Sequence, residues 1–232
     1  MNSSFPRGAR GRSSSYRPMA VLLGALVAVL LLGCSVLRPQ DDPTRFYVLT
    51  PTPGANASAG AGEAKRLQVG LKPVEVLRYL QNRSIVVRTG TNEIRFAEFD
   101  RWAEPLDQAI SQVLKVNLSH ASNVAGVAVN SHGDGSLDCE VAFRVLACEG
   151  VRAANGGGSV RFEATWEVRS LRASPVTTKR GGFTAEAVAW DGKDYGQLAG
   201  RLSEALAAAA HALAADLPPP GERGSRGVGE SK

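Results

Sequence analysis

Hydrophobic and polar residues alternate along much of the chain, which is the pattern of strands buried on one face only. The clearest stretch runs from residue 160 to residue 169, where apolar residues at even positions are separated by charged or polar ones. Strands are predicted at 46–49, 67–71, 84–88, 93–99, 124–129, 137–147 and 160–171, with a further one at 183–190. This split between a packed and a solvated face predicts a sheet that is covered on one side.

Two stretches show helical spacing instead. After Pro105, which suits the first turn of a helix, apolar residues recur at positions 106, 110, 113, 114 and 118. An Ala-rich helix with one stripe of leucines is predicted from about Asp194 to Leu217. Together these elements predict an α+β fold, an α/β sandwich whose mixed, largely antiparallel sheet carries about two helices on one face.

An uncharged apolar run at residues 20–32 follows an Arg- and Ser-rich start, which is the layout of a signal peptide. The run is short for a membrane span, which takes about 20 residues. It ends at Gly33-Cys34, and a small residue before a cysteine is similar to the lipobox of bacterial lipoproteins. An uncleaved N-terminal helix and an ordinary secretory signal with an incidental cysteine are the alternatives.

The predicted organisation follows from this cysteine. Residues 1–33 are a lipoprotein signal peptide, 34–45 a tether that carries acyl chains such as palmitate on Cys34, 46–217 the folded domain and 218–232 a disordered tail. By resemblance to enteric sorting rules, Ser35 instead of Asp favours the periplasmic face of the outer membrane, with the inner membrane as the alternative.

The charge balance argues against a nucleic-acid partner. The chain has 27 Lys and Arg against 22 Asp and Glu. Four of the arginines precede the apolar run, so the rest of the chain is close to neutral. A nucleic-acid-binding domain would keep a basic stripe after their removal, and we find none.

Cys139 and Cys148 invite interpretation as a disulfide, because the periplasm is oxidising. On one unbroken strand they would lie on opposite faces and about 30 Å apart, at roughly 3.3 Å per residue. A disulfide allows less than about 7 Å between Cα atoms. Unless a bulge or turn breaks the strand, we expect buried free cysteines or partners for another chain.

The sequence predicts no enzyme. His132 and Asp134 lie with two serines in one short loop, but residues this close in sequence, with two glycines, are typical of a turn and not of a triad. The motifs of hydrolase elbows, phosphate loops and metalloproteases are absent. We therefore expect no catalytic residue, no metal site and no cofactor.

The tract from Phe96 to Leu106 is an aromatic cluster with charges, formed by Phe96, Phe99 and Trp102 at the junction between a strand and a helix. Trp and Arg are enriched among residues that dominate binding interfaces, so Trp102, Glu104 and Arg101 are candidate partner-binding residues. The alternative is that Trp102 fills the corner where the helix leaves the sheet, and the helix start that follows favours this packing role.

Several of these segments, in this order, resemble the PqiC-type family of ABC-transport auxiliary lipoproteins. The resemblance rests on the lipobox, Phe46-Tyr47-Val48-Leu49, Leu67-x-Val69-x-Leu71-x-Pro73-Val74, Tyr79-Leu80, Ile85-Val86-Val87-Arg88, Arg101-Trp102-Ala103-Glu104-Pro105-Leu106, Val113-Leu114 and Asn117-Leu118. The tract from Arg101 to Leu118 is the most specific part.

The resemblance implies an accessory subunit of an MCE/Pqi-type ABC transport system that moves lipids between the inner and outer membranes. Its implied partners are an MCE-domain protein with the associated permease complex, the membrane through the lipid anchor, and further copies in a homo-oligomeric ring. The implied role is docking and scaffolding, and only Cys34 carries over with a defined chemical role. A generic envelope lipoprotein that assists a secretion or outer-membrane complex is the alternative, and an envelope hydrolase using the His132 loop is a remote one.

Overall fold

The computed structural model describes residues 41–52, 66–130, 136–154, 156–172, 175–185 and 187–220. The described residues from Thr44 onward belong to one compact unit. The strands of this unit are β1 (Arg45–Tyr47), β2 (Leu67–Leu71), β3 (Glu75–Val76), β4 (Ser84–Gly90), β5 (Glu93–Trp102), β6 (Val124–Val129), β7 (Cys139–Arg152), β8 (Gly158–Ser170), β9 (Thr177–Thr184) and β10 (Ala189–Trp190). The helices are α1 (Leu106–Ser119) and α2 (Tyr195–Asp216), and a 3₁₀ turn covers Arg78–Gln81.

The long strand β7 organises the sheet, because different strands pair with its successive parts. Along one edge β2 pairs with its beginning, β3 with its middle and β4 with its end, all in parallel. Along the other edge β8 pairs with it antiparallel over the whole length. β6 continues the sheet beyond β2, β5 and then β1 beyond β4, and β9 and β10 beyond β8. The two longest pairings, β7–β8 and β8–β9, are antiparallel.

Both helices lie on the face of the sheet that carries the buried side chains of β8. At this face the rings of Phe143 and Trp166 stack with centroids 6.0 Å apart. The indole Nε1 of Trp166 donates to the Asp216 carboxylate at the end of α2, at 2.9 Å. Asp194 caps α2 by accepting from the backbone N–H of Gly196 at 2.8 Å, which satisfies a donor that has no partner within the helix.

A β-bulge near the middle of β7 changes which of its residues face the core. Cys139 lies opposite Ser170 and Cys148 opposite Phe162, so both cysteines share the face of β8 that bears the even-numbered residues. The prediction that they lie on opposite faces was wrong, because the extra residue of the bulge restores the alternation in the other phase. Both cysteines are buried and free, and burial raises the pKa of each thiol to about 12.

The predicted fold class is confirmed, with a mixed sheet and two helices among the described residues. The strand predicted at 183–190 is wrong as a single element, since β9 ends at Thr184 and β10 begins at Ala189. These two short strands pair with opposite ends of β8. In the described part of the chain, no helix combines the length and the apolar character that a membrane crossing requires.

Candidate docking site

The tract from Arg101 to Leu106 joins β5 to α1 and is held by backbone hydrogen bonds from two sides. The Trp102 N–H donates to the Arg83 carbonyl at 2.7 Å, and the Ala103 N–H donates to the Tyr47 carbonyl at 2.8 Å. β1 also pairs in parallel with the end of β5. The turn is therefore fixed between β1 and the residue before β4, and its side chains have a defined orientation.

The side chains of the tract divide between the core and the surface. Trp102 is 2% exposed, so almost none of its indole is accessible to a partner, and the structure supports the packing interpretation for it. Arg101 is exposed and Glu104 is half-buried. Contact of these two with a partner stays a prediction.

Glu104 lines a groove between the segment that leads into β3 and the start of α1. The groove consists of two adjoining cavities, of about 590 and about 490 Å³, which share Val74 and Asp107 in their walls. We call it the acidic groove, and its main lining residues are Val74, Glu104, Asp107, Gln108, Ser111 and Asn130. No Lys or Arg is among the described residues that line either cavity.

Three polar groups of the acidic groove lack partners within the described part of the chain. Glu104 and Asp107 are half-buried, and neither makes a hydrogen bond or an ion pair there. Ser111 is 7% exposed, and its hydroxyl has no hydrogen-bond partner. Asp107 lies in the first turn of α1, where the helix dipole favours a negative charge. The arrangement offers acceptors to a cation, and charge-assisted hydrogen bonds to a Lys or Arg side chain are its natural complement.

Another carboxylate, that of Glu149, lies on the opposite face of the sheet, and both of its oxygens accept hydrogen bonds. We call it, with Tyr79, Arg88 and Arg161, the Glu149 cluster. Glu149 is 0% exposed and accepts from Arg88 Nε at 2.7 Å, from Arg161 Nη1 at 3.4 Å and from the Tyr79 hydroxyl at 3.1 Å. Burial, with the nearby Glu149 charge and hydrogen bond, raises the pKa of Tyr79 to about 12. The hydrogen bond to Glu149 also raises the pKa of Arg88.

Apolar side chains are exposed on the other side of the tract, at β1 and β5. Phe46 is 60% exposed, Val48 53%, Phe96 47% and Phe99 41%, and we call these four residues the aromatic edge. Phe46 lies opposite Arg101 in the parallel pairing of the two strands.

The buried side of the same strand pair is held by Asp100. Asp100 accepts from the Tyr47 hydroxyl at 2.9 Å and pairs with Arg45 at 3.0 Å. Burial and the hydrogen bond to Asp100 raise the pKa of Tyr47. The polar groups on this side are therefore satisfied within the fold, while the apolar ones on the outer side are left to solvent or to a partner.

The sequence matches the family of ABC-type transport auxiliary lipoprotein components over residues 47–214. The chain belongs to this family. The match covers most of the predicted domain and confirms the family resemblance inferred from the lipobox and the series of segments between Phe46 and Leu118. No curated protein sequence matches the chain.

Two crystal structures share the fold of this auxiliary lipoprotein. Protein XCC0632 from Xanthomonas campestris is 17% identical with a TM-score of 0.56, covering 74% of this chain and 93% of its own. An uncharacterised protein is 21% identical with a TM-score of 0.53, covering 75% of this chain and 97% of its own. Both likenesses concern the fold alone.

The structure describes only some of the remaining candidate residues from the sequence. Cys34 and the loop residues His132 and Asp134 lie outside the described residues. The other two histidines, His120 and His211, line a separate cavity of about 580 Å³ between the ends of the two helices. Within the described ranges, no group of three His, Cys, Asp or Glu side chains is placed to hold a metal ion.

Sequence reasoning did not find Asp107 and Ser111. The sequence did contain a signal for this pair. Ser111 is a polar residue beside Ile110 in the apolar stripe of α1, and Asp107 lies one helical turn before Ser111. The exposure of Phe46 had no such signal, since aromatic residues in strands usually pack.

Proposed function

We propose that this auxiliary lipoprotein is anchored by acylated Cys34 to the periplasmic face of the outer membrane, as a subunit of an MCE/Pqi-type ABC transport system. In this role it supports intermembrane lipid transport by docking and scaffolding, without catalysis. Family membership supports association with a transporter, and it favours this role over assembly of a secretion complex.

The observation that carries the docking role is the acidic groove. Unpaired carboxylates at Glu104 and Asp107 and the unpartnered hydroxyl of Ser111 line one opening, and no Lys or Arg is among the described residues that line it. The side chains of Glu104, Asp107 and Ser111 add little to stability, because they make no hydrogen bond or ion pair in the described part of the chain. We infer that it receives a Lys- or Arg-bearing segment of the MCE-domain protein, with the permease complex associated through that protein.

The docking test is charge reversal of the groove in the native host. We expect Glu104→Lys with Asp107→Lys to lower the amount of MCE-domain protein recovered after crosslinking at least tenfold, which is about 1.4 kcal/mol. The control is Glu98→Lys, because Glu98 is an exposed carboxylate outside the groove that has no partner among the described residues. Equal recovery from both variants would exclude the groove as the docking site.

The anchor is tested separately by the intact mass and membrane fractionation of the wild type and Cys34→Ala. We expect a mature chain that begins at Cys34 with added acyl mass in the outer-membrane fraction, and a soluble chain for the variant. An unmodified wild-type chain would contradict the anchor. Recovery of secretion components in place of a permease and an MCE-domain protein would contradict the transport role, and native mass measurement would show whether the subunits form a ring.

A further inference from the structure

The exposed apolar side chains of this chain are not evenly spread. Seven large hydrophobic residues are exposed in the described ranges, and four of them form the aromatic edge on β1 and β5 or directly beside them. All three exposed phenylalanines of the described ranges belong to this group, whereas Val116 lies on α1, Val176 just before β9 and Val188 just before β10. Three of the four residues of the aromatic edge lie on the paired strands β1 and β5, and exposed apolar residues grouped in this way mark an interaction surface.

The aromatic edge is also the part of the domain that follows the predicted anchor most closely. Arg45, the first residue of β1, comes only eleven residues after Cys34. Even a fully extended chain of this length reaches at most about 40 Å. If Cys34 is acylated, the bilayer surface is therefore always within reach of β1, at an effective concentration that a freely diffusing partner does not have.

The charges beside the aromatic edge suit a phospholipid surface. Arg101 is exposed opposite Phe46 and makes no ion pair or hydrogen bond in the described part of the chain. Asp100 pairs with Arg45 and Glu93 with Arg95, which leaves Glu98 as the acidic residue of β5 without an ion pair in the described ranges. Phenylalanine rings enter the acyl boundary while an arginine above them keeps its guanidinium at the phosphates.

From these observations we propose that the aromatic edge lies against the membrane that carries the anchor, and that Phe46, Phe99 and Arg101 contact phospholipids. This inference rests on the acylation of Cys34 given under the proposed function. It orients the domain, because the contact fixes the β1 edge of the sheet toward the bilayer.

The test uses the full lipidated chain in vesicles of phosphatidylethanolamine with a minority of phosphatidylglycerol, with or without brominated acyl chains. Phe46→Trp places an indole on the aromatic edge. Val176→Trp places an indole at a similarly exposed position just before β9, the strand beyond β8 and away from β1. The three native tryptophans are 2–3% exposed, so the parent chain supplies their background emission.

We expect brominated lipid to quench the added emission of Phe46→Trp and to leave that of Val176→Trp unchanged. Phe99→Ser introduced together with Phe46→Trp is expected to reduce the quenching. A chain that is acylated and bound to vesicles but shows no quenching for Phe46→Trp would overturn the membrane contact alone. If the added emission of Phe46→Trp were protected from water but not quenched by brominated lipid, the aromatic edge would instead contact another protein copy. A chain without acyl mass would contradict both the anchor and this inference.

Discussion

The acidic groove and the Glu149 cluster contain the same kind of side chain in opposite situations. Glu149 is fully buried, and both of its carboxylate oxygens have donors from Tyr79, Arg88 and Arg161. In the groove, Glu104 and Asp107 are half-buried without a partner in the described part of the chain. A carboxylate that is removed from water must be paired within the fold, whereas one at a groove remains available to a ligand. The first region therefore stabilises the protein and the second is suited to binding.

The largest expected effect is that of removing the buried carboxylate. We expect Glu149→Ala to lower the free energy of unfolding by about 3–5 kcal/mol, because it leaves the half-buried Arg88 guanidinium and Tyr79 hydroxyl without their carboxylate acceptor. Urea unfolding followed by circular dichroism measures this value, with Glu98→Ala as the control for loss of an exposed carboxylate. A loss of less than about 1 kcal/mol would place Glu149 with the weak surface pairs and remove the distinction between the two regions.

The opposite sign is expected in the groove. Ser111 buries a hydroxyl without a partner in the middle of α1, and alanine has the higher helix propensity. We therefore expect Ser111→Ala to raise the free energy of unfolding by about 1 kcal/mol. The same variant is expected to recover less MCE-domain protein in crosslinking.

Ser119→Ala is the control for Ser111→Ala, because Ser119 is a serine of the same helix whose hydroxyl already donates to the Lys115 carbonyl. If Ser111→Ala lowered the free energy of unfolding, the Ser111 hydroxyl of the parent chain would have to be hydrogen-bonded within the fold. The groove would then no longer contrast with the Glu149 cluster.

Local patterns predicted more of the fold than of the site. The alternation in β8 and the apolar spacing in α1 reflect which face of each element packs against the core. The structure confirms both elements. The bulge in β7 leaves no local mark, so the face of Cys148 could not be predicted. The acidic groove arises where Val74 meets the start of α1, about thirty residues later, and such a closure is a property of the assembled sheet.

The smallest expected effect at neutral pH concerns Tyr79, which joins the Glu149 cluster from outside the sheet. Its hydroxyl donates to Glu149 Oε2 at 3.1 Å and lies 3.3 Å from the Leu146 carbonyl. We expect Tyr79→Phe to lower the free energy of unfolding at pH 7 by about 0.5–1 kcal/mol, since one hydrogen bond to a carboxylate is lost while most of the ring packing stays.

The pH dependence of the stability of Tyr79→Phe tests whether burial of the neutral phenol is the reason for this contribution. The pKa of Tyr79 is raised from 10.0 to about 12 in the folded protein, chiefly by burial, so the neutral phenol is the form that the fold favours. Its contribution to stability is full below pH 10 and is lost as the pH rises from about 10 to about 12. Tyr79→Phe should therefore show a shallower alkaline loss of stability than the parent chain when both are unfolded in urea across this range. Parallel curves would mean that the phenol titrates alike in the folded and unfolded chains, and that the Glu149 cluster is open to water in a way its burial does not suggest.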